Sequence, residues 1–152
     1  MWSRVSIPRH AFITWVAIQH RLPTKKRLSR FMQQLDLQCP LCQAAEEDDH
    51  HLFQVCPYAK DVWDALAEWW PTSQALVSLA SSSTCAGKVT AHLQIAYAIY
   101  AAAIYHIWYA RNQCLFKNQC IPIDHTIRQI KNQIQHRVLF LNTVSRTYRK
   151  SY

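Results

Sequence analysis

The chain has 152 residues, half of them hydrophobic and 17% charged, a composition that excludes an intrinsically disordered protein. Its one glycine, Gly87, leaves few turns that glycine could build, which argues against a many-stranded β fold and favours helices. The net charge of +8 is divided into three blocks: residues 1–35 have seven Lys/Arg and no acid, residues 36–68 eight acids and one Lys, and residues 69–152 nine Lys/Arg and one acid.

Two helices are predicted before the first cysteine. Ser6 can cap the first helix, Pro8 suits its first turn, and Pro23 ends it. Its apolar residues form a broad face that we expect to be buried: Phe12, Trp15, Val16 and Ile18, with Leu22 beyond. Thr24 is expected to cap a short, basic second helix over residues 25–35, with apolar residues at helical spacing: Leu28, Phe31, Met32 and Leu35.

Three further helices are predicted after the cysteines. The first lies between Pro57 and Pro71, with Val62 and Leu66 on one side. A Ser/Thr-rich linker follows at 72–87, and a long helix is predicted over 88–117. Gln94, His106 and tyrosines spread along this helix argue against a membrane span. We therefore expect a core helix. The last helix, from Asp124 onward, is amphipathic, with a regularly spaced stripe: Ile127, Ile130, Ile134, Val138 and Leu141.

The spacing C-x2-C-x8-H-x4-C joins Cys39, Cys42, His51 and Cys56. The N-terminal residues contain no apolar segment with a cleavage site typical of a secretory signal, so we expect metal ligands rather than disulfides. Three thiolates and one imidazole form a closed zinc site, which stabilises a fold but leaves no position for a reactive water. His50 gives C-x7-H-x5-C, which is an alternative ligand set.

The acidic run 46–49 lies inside this segment. We expect Asp48 or Asp49 to cap a helix that begins near the histidines, and the other acids to lie in a solvated loop without a catalytic role. Because the zinc segment is negatively charged, contacts with nucleic acid are expected on its basic flanks. One flank is the basic C-terminal helix. The other flank precedes the cysteines and contains the candidate residues: Arg21, Lys25, Lys26, Arg27 and Arg30.

Several motifs in one order resemble a known family: Phe-x-x-Trp, Leu-Pro-Thr-Lys, Cys-x-x-Cys, His-Leu-Phe-x-x-Cys-Pro and Val-Trp, within residues 2–70. They resemble the zinc-binding domain that follows the reverse transcriptase in plant non-LTR (LINE-type) retrotransposons. The resemblance favours His51 as the ligand, because the family's histidine precedes Leu-Phe. A shorter match, IWYARNQCLF, resembles a stretch found after this domain, although Arg111 and Asn112 could equally lie at an exposed helix end.

Together these features predict a mostly α protein, a small helical bundle held by a single Cys3His zinc site and followed by two long helices. The expected division is a reverse-transcriptase-type zinc-binding domain at 1–71, a linker at 72–87 and a helical extension at 88–152. The only acid outside 36–68 is Asp124, so the carboxylates of a polymerase or a ribonuclease H are missing and we expect no enzyme. The chain is expected to be a severed retroelement piece or a gene derived from one.

The resemblance implies a nucleic-acid-binding accessory domain that contains Zn²⁺, contacts RNA or DNA, and resides in the nucleus, with the cytoplasm as the alternative. No membrane partner is expected. Two other interpretations stay open. The first is a helical module that binds a protein through its C-terminal amphipathic helix, and the second is a remnant without function. Loss of binding affinity with rising salt would distinguish nucleic-acid binding from these.

Overall fold

The structure, a computed structural model, describes the backbone of residues 5–70 and 91–149 and the side chains of 5–70 and 91–140. The predicted linker at 72–87 lies outside these residues. Five α-helices and one π-helical turn are described: α1 (Pro8–Ile18), α2 (Lys25–Leu28), the π-turn (His51–Val55), α3 (Pro57–Trp69), α4 (Ala91–Lys117) and α5 (Ile123–Arg149). In the described ranges there is no β-strand, only one antiparallel bridge between Gln38 and Glu46, and the predicted mostly α fold is confirmed.

Helix α4 lies at the centre and contacts α1, α3, α5 and the π-turn. Buried residues occur on several of its faces, among them Ile99, Ala103 and Ile107. The small alanines allow neighbouring helices to approach closely, and the isoleucines fill the space between them. This confirms a core helix. None of the helices described has the length and apolarity needed to cross a membrane.

Helices α3 and α5 follow their predicted patterns. Helix α3 begins at Pro57 and buries Val62 and Leu66 completely. Helix α5 buries Ile130 and Ile134, and other members of its apolar stripe pack against the same core. Leu141, the last predicted member of the stripe, lies outside the residues whose side chains are described.

The predicted buried face of α1 is wrong for its two aromatic residues, whereas Leu22 beyond the helix is buried and Val16 packs against the core. The residues that α1 buries are His10, Ala11, Thr14 and Ala17, whereas Phe12 and Trp15 are 55% and 44% exposed. Small side chains bring α1 close to the alanine-rich surface of α4. The buried Thr14 hydroxyl donates to the His10 carbonyl oxygen at 2.9 Å, so the hydroxyl itself is satisfied.

The predicted helix over residues 25–35 begins as expected but is wrong in its length, because α2 has only four residues. The chain turns after Leu28, reverses at Gln34 (φ 63°) and leaves Phe31 83% exposed. The Lys25 Nζ lies 3.0 Å from an Asp36 carboxylate oxygen, which closes this loop. A helix continuing to residue 35 would extend about 1.5 Å per residue and would carry the chain away from this ion pair.

Candidate metal centre

Four potential metal ligands converge beside the π-turn: Cys39, Cys42, His51 and Cys56. Their ligand atoms all lie within 4.8 Å of one another. The Cys39 and Cys56 sulfurs are 4.0 Å apart, and the Cys42 sulfur is 3.2 Å from His51 Nε2. Around a tetrahedral zinc ion, two sulfurs would be about 3.8 Å apart and a sulfur and a nitrogen about 3.5 Å apart, given the usual bond lengths. The donor set and its spacing therefore fit a four-coordinate metal ion.

A tight turn presents the first cysteine pair. The Gln43 N–H donates to the Cys39 carbonyl oxygen at 2.8 Å, and Gln43 adopts a positive φ of 54°. Bonds from Cys39 N–H to the Ala45 oxygen and from Glu47 N–H to the Leu37 oxygen, each 2.8 Å, hold the two sides of this turn together. The turn places both sulfurs on the side that faces the histidine.

The π-turn presents the second ligand pair. The Asp48 carboxylate accepts the His51 backbone N–H at 2.7 Å, so Asp48 caps this segment as predicted, and this bond lowers the pKa of Asp48. The Cys56 N–H donates to the His51 carbonyl oxygen at 2.7 Å. Leu52 is fully buried in the core, which fixes the rotation of the turn. His51 consequently points into the cluster, and His50 is exposed.

Hydrogen bonding makes the cysteines electronically unequal. The bond with Cys56, supported by the backbone N–H groups of Cys42 and Leu41, lowers the pKa of the Cys39 thiol to about 5. The same bond with Cys39, together with burial, raises the pKa of the Cys56 thiol. The bond between the two sulfurs thus favours one thiolate in this pair, and the thiolate is the form that binds a metal. A metal ion would replace the proton that Cys56 and Cys39 share.

A buried ion pair attaches this segment to α4. Glu47 and Arg111 are 0% and 1% exposed, and the Arg111 Nε donates to both Glu47 carboxylate oxygens at 3.1 Å. The Arg111 Nη2 lies 2.8 Å from Glu47 Oε1. Burial raises the pKa of Glu47, whereas the Arg111 guanidinium opposes this shift. The expectation of a solvated loop around Glu47 is therefore wrong, and so is the alternative that placed Arg111 at an exposed helix end.

This pair was missed because no local pattern links two residues 64 positions apart. Two sequence features gave a weak indication of this ion pair: the acidic run beside the cysteines and the Trp-x-x-Arg stretch of α4. A second contact joins the same parts of the chain, because Cys114 donates from its thiol to the Pro40 carbonyl oxygen at 3.1 Å. Cys114 lies 2.6 Å from Cys120, sulfur to sulfur, and neither belongs to the metal cluster described above.

The structure separates the five predicted nucleic-acid contacts into two groups. Lys25 is buried and ion-paired with Asp36, and Lys26 is paired with Asp48 at 3.0 Å. The three arginines are exposed: Arg21, Arg27 and Arg30. In residues 5–70 and 91–140, the salt bridges to acids involve none of these arginines. Of the five residues, the three arginines are therefore exposed and outside these salt bridges, whereas Lys26 is exposed but paired and Lys25 is buried.

The comparisons with known proteins concern the first part of the chain. Residues 1–63 match the model of a family described as zinc-binding in reverse transcriptase. The matched region includes all four cluster residues and ends within α3. No curated protein and no solved structure matches the chain. Residues 1–63 are thus similar to the zinc-binding region of reverse transcriptases, and their structure contains a Cys3His cluster with the spacing of a metal site.

Proposed function

We propose that this protein is a zinc-binding accessory module of the kind found beside reverse transcriptases, that it binds RNA or DNA, and that it has no polymerase or nuclease activity. The observation that carries the proposal is the convergence of three thiols and one imidazole within 4.8 Å, inside the region that matches the family model. An origin in plant non-LTR retrotransposons is part of the proposal. It is supported by the order of the motifs in residues 2–70.

The donor set favours zinc over other common metals. Thiolate ligands select soft or borderline ions, and a four-donor site made of sulfur and imidazole is typical of structural zinc. Cys39, Cys42, His51 and Cys56 would hold the ion, and all four coordination positions would be filled. The bound ion would join the Cys39 turn to the π-turn. It would supply folding energy rather than an activated water.

Nucleic-acid binding is proposed for the face that carries Arg21, Arg27 and Arg30. Zn²⁺ with three thiolates contributes a net charge of −1, so the metal centre does not itself attract phosphate. The three arginines are exposed, and Arg27 is held in place by a 2.6 Å bond from its Nη1 to the His20 carbonyl oxygen. Guanidinium groups positioned in this way suit phosphate oxygens. Because the proposed ligand is RNA or DNA, we propose that the protein resides in the nucleus, with the cytoplasm as the alternative.

A protein-binding role is the second candidate, and one observation favours it. Helix α5 exposes two large hydrophobic side chains, Leu139 and Phe140, beside the stripe that packs on the core. Exposed apolar residues on one helix are common at protein interfaces. A non-functional retroelement remnant would use neither surface.

A salt titration tests the proposal. The zinc-loaded chain is mixed with fluorescently labelled single-stranded and double-stranded oligonucleotides, and the dissociation constant is measured by anisotropy at increasing salt. Replacing the three arginines by glutamine should reduce the slope of log affinity against log salt by about two to three. Lys60→Gln, an exposed site on α3, is the control. No binding even at low salt would overturn the nucleic-acid role.

A further inference from the structure

The outer face of α1 carries an unusual pair of exposed aromatic side chains. Phe12 and Trp15 lie one turn apart with ring centroids 6.3 Å from each other. They are on the side of α1 opposite the buried residues that contact α4. Large aromatic side chains exposed together on one helix are not required by the fold, because the small residues of the opposite face already make the packing contacts.

Two arginines lie at the C-terminal end of this aromatic face. The backbone N–H of Arg21 donates to the Val16 carbonyl oxygen at 3.0 Å, and the Arg27 side chain donates to the His20 carbonyl oxygen. Arg21 and Arg27 are therefore anchored close to the C-terminal end of α1. Arg9, three residues before Phe12, is directed towards α4 instead, because its guanidinium carbon lies 5.3 Å from the centroid of the Tyr105 ring.

One acidic group near this end is neutralised, because Asp48 is paired with Lys26. The Asp49 Oδ2 lies 3.4 Å from His20 Nδ1, a contact that is ionic only when His20 is protonated. Within the part of the chain that the structure describes, no salt bridge to an acid involves Arg21 or Arg27. The face therefore combines two exposed aromatic rings with two exposed arginines that lie outside these ion pairs.

This combination favours a polyanion with exposed aromatic bases. In a duplex the faces of the bases are stacked on one another and the rings of a protein cannot reach them. In a single strand, bases stack on aromatic side chains while basic groups follow the backbone. We infer that the outer face of α1 binds single-stranded nucleic acid, with Phe12 and Trp15 stacking on bases and Arg21 and Arg27 contacting phosphates. This inference rests on the proposed nucleic-acid binding and specifies its strand preference and its contacts.

The decisive experiment measures binding of the full-length, zinc-loaded chain to a labelled oligothymidine and to a duplex of the same length. Phe12→Ala and Trp15→Ala should each weaken single-strand binding by roughly 5- to 150-fold, the range expected for one stacked base. Duplex binding and its salt dependence should be unchanged. Phe116→Ala, at an exposed aromatic near the end of α4, is the matched control and should leave both affinities unchanged.

Two further variants separate stacking from simple apolar contact or misfolding. Trp15→Phe keeps an aromatic ring and should retain most single-strand affinity, whereas Trp15→Leu keeps apolar bulk and should lose it. Zinc content and melting temperature are measured for each variant, so that only folded proteins are compared. Equal affinities for Trp15→Phe and Trp15→Leu would overturn stacking.

The outcomes distinguish this inference from the function on which it rests. If Phe12→Ala/Trp15→Ala leaves single-strand affinity unchanged while the arginine substitutions weaken it, the inference fails and the proposed function stands. If the wild-type chain binds neither oligonucleotide, both fail. If the double substitution changes only self-association in sedimentation, the face is an interface between copies of the chain and the inference is overturned.

Discussion

Arg111→Met tests how the segment that carries the Cys3His cluster is attached to the helical core. The substitution leaves the Glu47 carboxylate buried with one remaining donor, the Lys25 backbone N–H at 3.2 Å. It also removes the guanidinium from above the Trp108 ring, where it lies 4.7 Å from the ring centroid. Breaking a buried ion pair by removing one partner costs about 3–5 kcal/mol. We therefore expect the free energy of unfolding to fall by about this amount, a large part of the stability of a typical domain.

Urea unfolding of the zinc-saturated protein, followed by tryptophan fluorescence, measures this loss. Glu47→Leu should also destabilise strongly, but the double variant Glu47→Leu/Arg111→Met should be less destabilised than the sum of the two, because no unpaired charge stays buried. Lys26→Met is the control, since its ion pair with Asp48 lies at the surface and should contribute little. Equal losses for Arg111→Met and Lys26→Met, or strictly additive single effects, would refute the reasoning.

Two other predictions concern histidines. Burial, with the charges of His106 and Arg9, lowers the pKa of His10 to about 3 from its ordinary value of 6.5, so protonation favours the unfolded chain and stability should be lost as the pH falls below about 6.5. His10→Phe should make this loss shallower in urea unfolding between about pH 7 and about pH 5, and an identical slope in both proteins would contradict the assignment. His51→Ala should weaken zinc affinity in a competition titration with a chromogenic chelator, whereas His50→Ala should leave it unchanged; the reverse order would make His50 the ligand.

The sequence was sufficient to predict the helices that are specified by local residue patterns. Proline positions and apolar spacing predicted α3, α4 and α5, because a long helix repeats the same pattern over many turns. The grouping of the four side chains could also be read from spacing, since Cys39 and Cys42 share one turn and the second pair shares the next. Spacing alone left the choice between the two histidines open, and the structure places His51 in the cluster through the rotation of the π-turn.

The face of α1 could not be predicted from its own residues. That helix has two sides that could be buried, one with large aromatic rings and one with small residues, and hydrophobicity favours the first. The face with small residues is nevertheless the buried one, because α1 packs against α4. Helix α4 presents alanines such as Ala101 and Ala102, which a small-residue face can approach closely. The length of α2 depended in the same way on a distant contact, the ion pair between Lys25 and Asp36.

The metal content of the purified, folded protein is the most direct test of this account. Elemental analysis should find about one zinc ion per chain, and removal of the ion by a strong chelator should unfold residues around the Cys39 turn, with loss of helical circular dichroism that added zinc restores. Cys42→Ser should bind zinc much more weakly. A folded wild-type chain without stoichiometric zinc, or one whose thermal unfolding is unaffected by chelation, would contradict it.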